Sequence, residues 1–152
     1  MAAEYLANAI QEVSLNNPVV FTASIPCSRG YIYHEDESGI FILRGIVNNS
    51  CAKYATYQLT FNANIAVPTD GTVGPIATAI TVNGEIRPTS RAIVTPAAVE
   101  EYNNVTSTCI IKVPRGCCFS VSVRYVSGVT AAETPATAIE VQNANFVINR
   151  IA

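Results

Sequence analysis

Apolar and polar side chains alternate with a period of two residues between Lys53 and Val67. The odd positions carry Ala55, Tyr57, Leu59, Phe61, Ala63, Ile65 and Val67, and the even positions carry Tyr54, Thr56, Gln58, Thr60, Asn62 and Asn64. This period places the two sets on opposite faces of a β-strand, whereas in a helix the apolar residues would spread around the circumference. The polar face holds amides and hydroxyls instead of charges, which suits a β-sandwich whose outer face is covered by a partner.

Further strands are predicted on both sides of this segment. Phe119–Tyr125 and Thr106–Val113 alternate in the same way, and Tyr31–His34 forms a hairpin with Ile40–Val47 across a charged turn. Turn signals recur roughly every 8–12 residues, a spacing that is typical of sandwiches and jelly rolls. The pattern predicts an all-β domain, a two-sheet jelly-roll sandwich of about eight to ten strands.

Two local features predict specific backbone geometry. Asn83-Gly84 lies between two strand-like segments and indicates a tight type I′ hairpin turn. In the last predicted strand, Ala138–Ile151, the apolar parity switches near Asn143, which is what a β-bulge produces.

The chain has two predicted parts, an N-terminal arm or anchor over residues 1–14 and the jelly-roll domain over 15–152. Leu6, Ala9, Ile10 and Val13 would share one side of a short helix, but the segment can equally be an extended arm. Residues 1–11 lack both a basic start and a continuous apolar stretch, so no secretory signal is visible.

Charged residues are scarce in this chain. They make up 13% of it, against about a quarter in ordinary globular domains. A surface poor in charge favours protein–protein contact. The net charge of −2 leaves no basic stripe for phosphates, and no apolar run approaches the roughly 20 residues of a membrane span. We therefore expect neither a nucleic-acid nor a membrane partner.

The five cysteines are an odd number, so at least one is unpaired within a single chain. Cys27 and Cys51 flank the predicted hairpin and are the candidate disulfide. Cys117 and Cys118 are adjacent, where a mutual bond would be strained. The alternative is that most cysteines are small buried hydrophobic residues.

No residue constellation in the sequence indicates catalysis, a metal or a cofactor. His34 is the single histidine, and it precedes Glu35, Asp36 and Glu37. These acids lack the alternating spacing of a calcium loop, so a solvated turn is favoured over a cation site. Nothing brings His34 to a nucleophile and an orienting carboxylate. The chain is predicted not to be an enzyme and to carry no cofactor.

Several segments together resemble the tumour-necrosis-factor-like jelly-roll domains of bacterial spore-surface collagen-like glycoproteins. They resemble even more closely short phage and prophage structural proteins of Firmicutes. The resemblance rests on Asn62–Pro68, Gly71–Ile76, Ala79–Glu85, Val94–Tyr102, Val113–Cys118 and Val141–Phe146. It implies a tight homotrimer with no catalytic residues.

The spore-surface members place this domain after a Gly-X-Y collagen tract, and this sequence contains none. That difference favours a trimer clamped onto a larger lattice, as a phage capsid-decoration or head-fibre protein located in the virion. The N-terminal segment would then be the anchor, through Tyr5, Leu6 and Ile10. The aromatic residues expected in the core or at the trimer interface are Tyr54, Tyr57, Phe61, Tyr125 and Phe146.

Two alternatives stay open. One is a spore-surface or appendage subunit, linked through cysteines and located outside the cell. The other is a trimeric module that binds a glycan or host surface through the loops His34–Gly39, Pro68–Gly74 and Gly128–Pro135.

Overall fold

The computed structural model describes residues 1–26, 29–126 and 137–152. These residues form twelve strands and a single 3₁₀ turn, Pro88–Ser90. The strands are β1 Ala2–Ala7, β2 Gln11–Ser14, β3 Ala23–Ile25, β4 Ile32–His34, β5 Phe41–Arg44, β6 Tyr54–Ala66, β7 Ile76–Val82, β8 Glu85–Ile86, β9 Ala92–Val94, β10 Asn103–Pro114, β11 Cys118–Val126 and β12 Ala138–Arg150. Within the described part of the chain, no helix is long and apolar enough to span a membrane.

The strands form two antiparallel sheets. Sheet 1 has the order β10-β6-β12-β1-β3, with β2 also pairing with β12. Sheet 2 has the order β4-β5-β11-β7-β8, with β9 also pairing with β7. The predicted all-β, two-sheet jelly-roll sandwich is confirmed. The strands outnumber the predicted eight to ten in part because the strand-like segment after Asn83-Gly84 is divided by the Pro88–Ser90 turn into β8 and β9.

The core lies between the sheets and is built by the alternation described above. Ala55, Tyr57, Leu59, Phe61 and Ile65 of β6 all point inward and are fully buried. Burying each of the larger side chains stabilises the fold by roughly 1.5–3 kcal/mol relative to leaving it exposed.

An aromatic cluster fills the centre of this core. Phe41 contacts Tyr5 edge-on at 4.5 Å between ring centroids, Phe146 at 5.1 Å and Phe21 at 5.5 Å. These four rings come from β1, β5, β12 and the segment after β2, so one cluster holds the N-terminal strand, both sheets and the last strand together. Edge-to-face aromatic pairs contribute about 0.5–1.5 kcal/mol beyond the burial of their area.

Both local predictions of backbone geometry are confirmed. Asn83 and Gly84 have φ of 52° and 84°, the two positive values that a type I′ turn requires between β7 and β8. In β12 the register with β6 shifts between Gln142 and Asn145, and Asn143 has φ of 53°. The bulge keeps Val141 and Phe146 on the core side although they are five positions apart and would face opposite sides of a regular strand.

The N-terminal segment takes the extended alternative. β1 pairs with β12 from Ala2↔Asn149 to Ala7↔Ala144, and β2 continues along the same edge of β12 from Gln11↔Val141 to Ser14↔Ala138. Alternation of burial along β1 shows that this segment contributes to the core of the sandwich. Its predicted role as an anchor to a larger structure stays a prediction.

Candidate functional site

The outward side of sheet 1 is a broad surface that carries few charges. We call it the outer face and define it by the following outward residues of β1, β6, β10 and the part of β12 after its bulge. They are Glu4, Leu6, Asn145, Val147, Asn149, Thr56, Gln58, Thr60, Asn62, Asn64, Asn104, Thr106, Thr108, Ile110 and Lys112. Glu4 and Lys112 are its charged members. The even-numbered polar residues predicted for β6 therefore lie together with matching residues of both neighbouring strands.

The polar groups of the outer face bond to one another across β6 and β10. Asn62 Oδ1 accepts hydrogen bonds from Asn104 Nδ2 at 2.7 Å and from Thr106 Oγ1 at 3.1 Å. The hydroxyl groups of Thr60 and Thr108 lie 3.3 Å apart, and Thr108 Oγ1 also donates to the Leu59 carbonyl at 3.0 Å. Because these groups already have protein partners, covering them costs less than burying unpaired polar atoms.

Apolar side chains interrupt the polar rows. Val147 stands between Glu4 of β1 and Thr60 of β6, and Ile110 stands opposite Gln58. Ile110 is 53% exposed. The Glu4 carboxylate accepts a hydrogen bond from Asn145 Nδ2, so the one acidic group of the face lies at its β1 side beside an amide donor. The scarcity of charged side chains on this face matches the composition of protein–protein interface cores.

The predicted interface or core aromatics separate into two groups. Tyr57, Phe61, Tyr125 and Phe146 are fully buried in the core of this one chain. Tyr57 donates a hydrogen bond to the Arg44 carbonyl at 2.6 Å, which satisfies its buried hydroxyl. Tyr54 differs, because it is 49% exposed on the outward side of β6, with the Lys112 ammonium 5.9 Å from its ring centroid.

The three predicted anchor residues also lie in different surroundings. Tyr5 is buried in the core, where its ring contacts those of Phe41 and His34. Leu6 is half-buried on the outer face, and Ile10 is 55% exposed between β1 and β2. An anchoring surface would therefore have to use Leu6 and Ile10, and that role stays a prediction.

The candidate disulfide falls partly outside the described residues, because Cys27 is not among them. Cys51 is exposed in the connection between β5 and β6, and Cys117 and Cys118 are exposed at the start of β11. Cys109 is buried on β10, where desolvation raises the pKa of its thiol. The predicted loop Gly128–Pro135 likewise lies outside the described residues.

His34 packs within its own hairpin, formed by β4 and β5. Its ring stacks on Phe41 at 4.4 Å between centroids, and its Nε2 lies 2.9 Å from the Ser38 carbonyl oxygen. Among the described residues no group of three histidine, cysteine or acidic side chains could hold a metal ion.

Sequence reasoning missed a carboxyl cluster beside β12. Tyr102 donates a hydrogen bond to Glu140 Oε2 at 2.8 Å, and the side chain of Glu100 also hydrogen-bonds to Glu140. Partial desolvation and the charge of Glu140 raise the pKa of the Glu100 carboxyl. Burial, followed by the bond to Glu140, raises the pKa of Tyr102 to about 12. About 40 residues separate the partners along the chain, so no local pattern could have revealed the cluster.

Comparison with known proteins identifies the fold. No protein-family model and no curated protein sequence matches the chain. The globular domain of zebrafish complement 1qA is 13% identical, with a TM-score of 0.63 over 99% of this chain and 97% of that one. Eiger TNF from S. frugiperda is 10% identical, with a TM-score of 0.64 over 100% and 92% of the two chains. Murine APRIL is 11% identical, with a TM-score of 0.56 over 97% and 98%.

These similarities run over nearly the full length of each pair. The chain therefore has the tumour-necrosis-factor-like jelly-roll fold, as the resemblance in its sequence implied. At these identities the comparisons concern the fold alone, and function has to be argued from the surfaces of this chain.

Proposed function

We propose that the chain is a non-enzymatic structural protein that works as a homotrimer on a phage virion, as a capsid-decoration or head-fibre protein. The observation that carries the proposal is the outer face of sheet 1. It combines sparse charge with polar side chains that are hydrogen-bonded to each other, from Asn62 with Asn104 to Thr60 with Thr108.

Two physical features of the outer face favour a protein partner. Ionised side chains are expensive to desolvate, and the outer face contains few of them. Its amides and hydroxyls exchange few water contacts on association because many are already bonded within the sheet. Exposed Ile110 and half-buried Val147 and Leu6 add apolar area whose burial favours association.

A second copy is the partner that this face fits best. The face carries no strong net charge that would require a complementary partner, and homo-oligomers with closed symmetry are the commonest assemblies. Three copies follow from the resemblance of the sequence to trimeric tumour-necrosis-factor-like domains. The virion follows from its resemblance to short phage structural proteins, which is the finer part of the proposal.

The first test is the native mass by light scattering, with and without reductant. The proposal predicts three times the chain mass of 16.2 kDa in both conditions. A monomer at micromolar concentration would contradict the trimer. Large polymers that collapse on reduction would instead favour the spore-surface or appendage alternative, which exposed Cys51, Cys117 and Cys118 make testable.

The virion assignment needs a separate test. Particles purified from a host that carries this gene would be examined by immunogold electron microscopy with antibodies against the recombinant chain. Regular labelling of capsids or fibres is the expected result. Labelling confined to material that sediments apart from virions would contradict the proposal while leaving the trimer intact.

A further inference from the structure

A cavity of about 370 Å³ opens at the end of the sandwich where β12 finishes. Its polar lining comes from Arg29, Tyr31, Asn48, Asn49 and Arg150, with Tyr54 beside them. Met1, Val47, Ala52, Ile151 and Ala152 complete the lining. Its volume lies at the small end of the range of about 300–1,000 Å³ for small-molecule sites.

The charge of Arg150 is held there by aromatic rings. Its guanidinium carbon lies 4.1 Å from the centroid of Tyr31 and 5.9 Å from that of Tyr57. Its Nη1 is buried and makes no hydrogen bond within the described part of the chain. None of the described side chains lining the cavity is an aspartate or a glutamate. Arg29 and Arg150 therefore bring positive charge to the cavity without an acidic side chain beside it.

Tyr31 lies in the same positive electrostatic field, and its pKa is lowered. Asn48 Nδ2 donates to the Tyr31 hydroxyl at 3.4 Å. That bond lowers the pKa of Tyr31, the charges of Arg150 and Arg29 lower it further, and partial burial opposes the shift. A site that favours a phenolate favours other oxyanions as well.

We propose that this cavity binds an acidic sugar unit, a uronate or sialate at the end of a glycan, independently of whether the chain is a virion protein. Guanidinium groups match the planar geometry of a carboxylate. The Asn48 and Asn49 amides supply donors and acceptors for ring hydroxyls. Half-exposed Tyr54 offers an aromatic wall for the apolar face of the ring. A monosaccharide also fits the volume better than a long oligosaccharide would.

Isothermal titration calorimetry on the full chain tests the proposal. The probes are the methyl glycosides of glucuronate and N-acetylneuraminate, with methyl glucoside and inorganic phosphate as comparisons. At least one acidic sugar is expected to bind about tenfold more tightly than methyl glucoside and phosphate, because only it offers both carboxylate and ring hydroxyls. Equal affinity for phosphate, or no binding of either acidic sugar, would overturn the proposal.

Variants locate the site. R150Q and R29Q are each expected to weaken binding of the acidic sugar about tenfold, whereas R87Q, a half-buried arginine on another edge, leaves it unchanged. Arg29 is exposed, so R29Q keeps the test valid if R150Q fails to fold. Binding by R29Q equal to that of the original chain would place the site elsewhere and overturn the assignment.

Discussion

The protonation of Glu100 is tied to the folded structure. It adopts a positive φ of 59°, its N–H donates to the Val67 carbonyl at 2.8 Å, and its side chain bonds to Glu140. The fixed backbone thus holds the carboxyl group of Glu100 against that of Glu140. Two carboxyl groups that share a hydrogen bond favour a state in which one of them keeps its proton.

Replacing Glu100 is expected to change the pH dependence of stability. Because its folded pKa lies above the ordinary value of 4.5, its favourable contribution is present below that value and is lost as pH rises through the folded pKa. E100Q removes the titrating carboxyl group, and with it this loss of stability at higher pH. The melting temperature of E100Q relative to the original chain should therefore increase between pH 4 and pH 7.

The matched control is E101Q, which makes the same change at an exposed neighbouring side chain. Differential scanning fluorimetry across pH measures both variants. If E100Q and E101Q follow the same pH profile, the Glu100–Glu140 contact does not influence stability.

At the scale of elements, the bulge in β12 aligns the last strand with the core. A regular strand would turn either Val141 or Phe146 toward the outer face, because the two residues have opposite parity. Asn143 absorbs the extra residue in the left-handed region, with φ of 53°. Asparagine tolerates this conformation far better than β-branched residues do.

N143V is therefore expected to lower the free energy of unfolding by about 1–2 kcal/mol. N149V is the control, since Asn149 also points outward on β12 but lies in the regular part of its pairing with β6. Urea denaturation followed by tyrosine fluorescence measures the difference. Equal stability of the two variants would show that the bulge is not under conformational constraint.

The elements that the sequence predicted are those whose signal is local. The alternation of β6, the Asn83-Gly84 turn and the parity switch at Asn143 each depend on neighbouring residues, so they could be recognised. The N-terminal segment was ambiguous because its apolar spacing fits both a helix and a strand. Pairing of β1 with β12, which begins at Ala2↔Asn149, selects the strand, and no local pattern contains that contact.

At the scale of the whole molecule, the proposed trimer depends on the outer face. From the sequence, the alternation of β6 and of Thr106–Val113 in β10 could be predicted, but not their pairing. The residues of β10 and β12 that lie beside β6 depend on the strand register. Examples are the pairs Thr60↔Thr108 and Val147↔Thr60. Register is set by the completed sheet. The cavity lined by Arg29 and Arg150 could not be predicted from the sequence for a similar reason, because these two residues come from opposite ends of the sequence.

Q58E is expected to weaken the proposed trimer. The substitution keeps the size of an exposed side chain at the middle of the outer face and adds a negative charge to every copy. Desolvation and repulsion of charges at an interface cost several kcal/mol, so dissociation should begin at protein concentrations at least about tenfold higher.

N17D is the control, because it adds the same charge at an exposed turn that pairs with sheet 2. Light scattering over a dilution series compares the variants. If Q58E dissociates no more readily than N17D, the outer face is not the interface.

The pairing of β1 with β12 also governs when the fold can form. β2 has its only described pairing with β12, and β1 and β6 both flank β12, so sheet 1 is split until residues 138–150 are available. During translation, β1 and β2 therefore lack their partner β12 until nearly the whole chain has been synthesised. We expect refolding in the millisecond-to-second range typical of such non-local topologies, measurable by stopped-flow fluorescence. A nascent chain that stalls before β12 would expose two unpaired strand edges, which makes premature termination a direct route to aggregation.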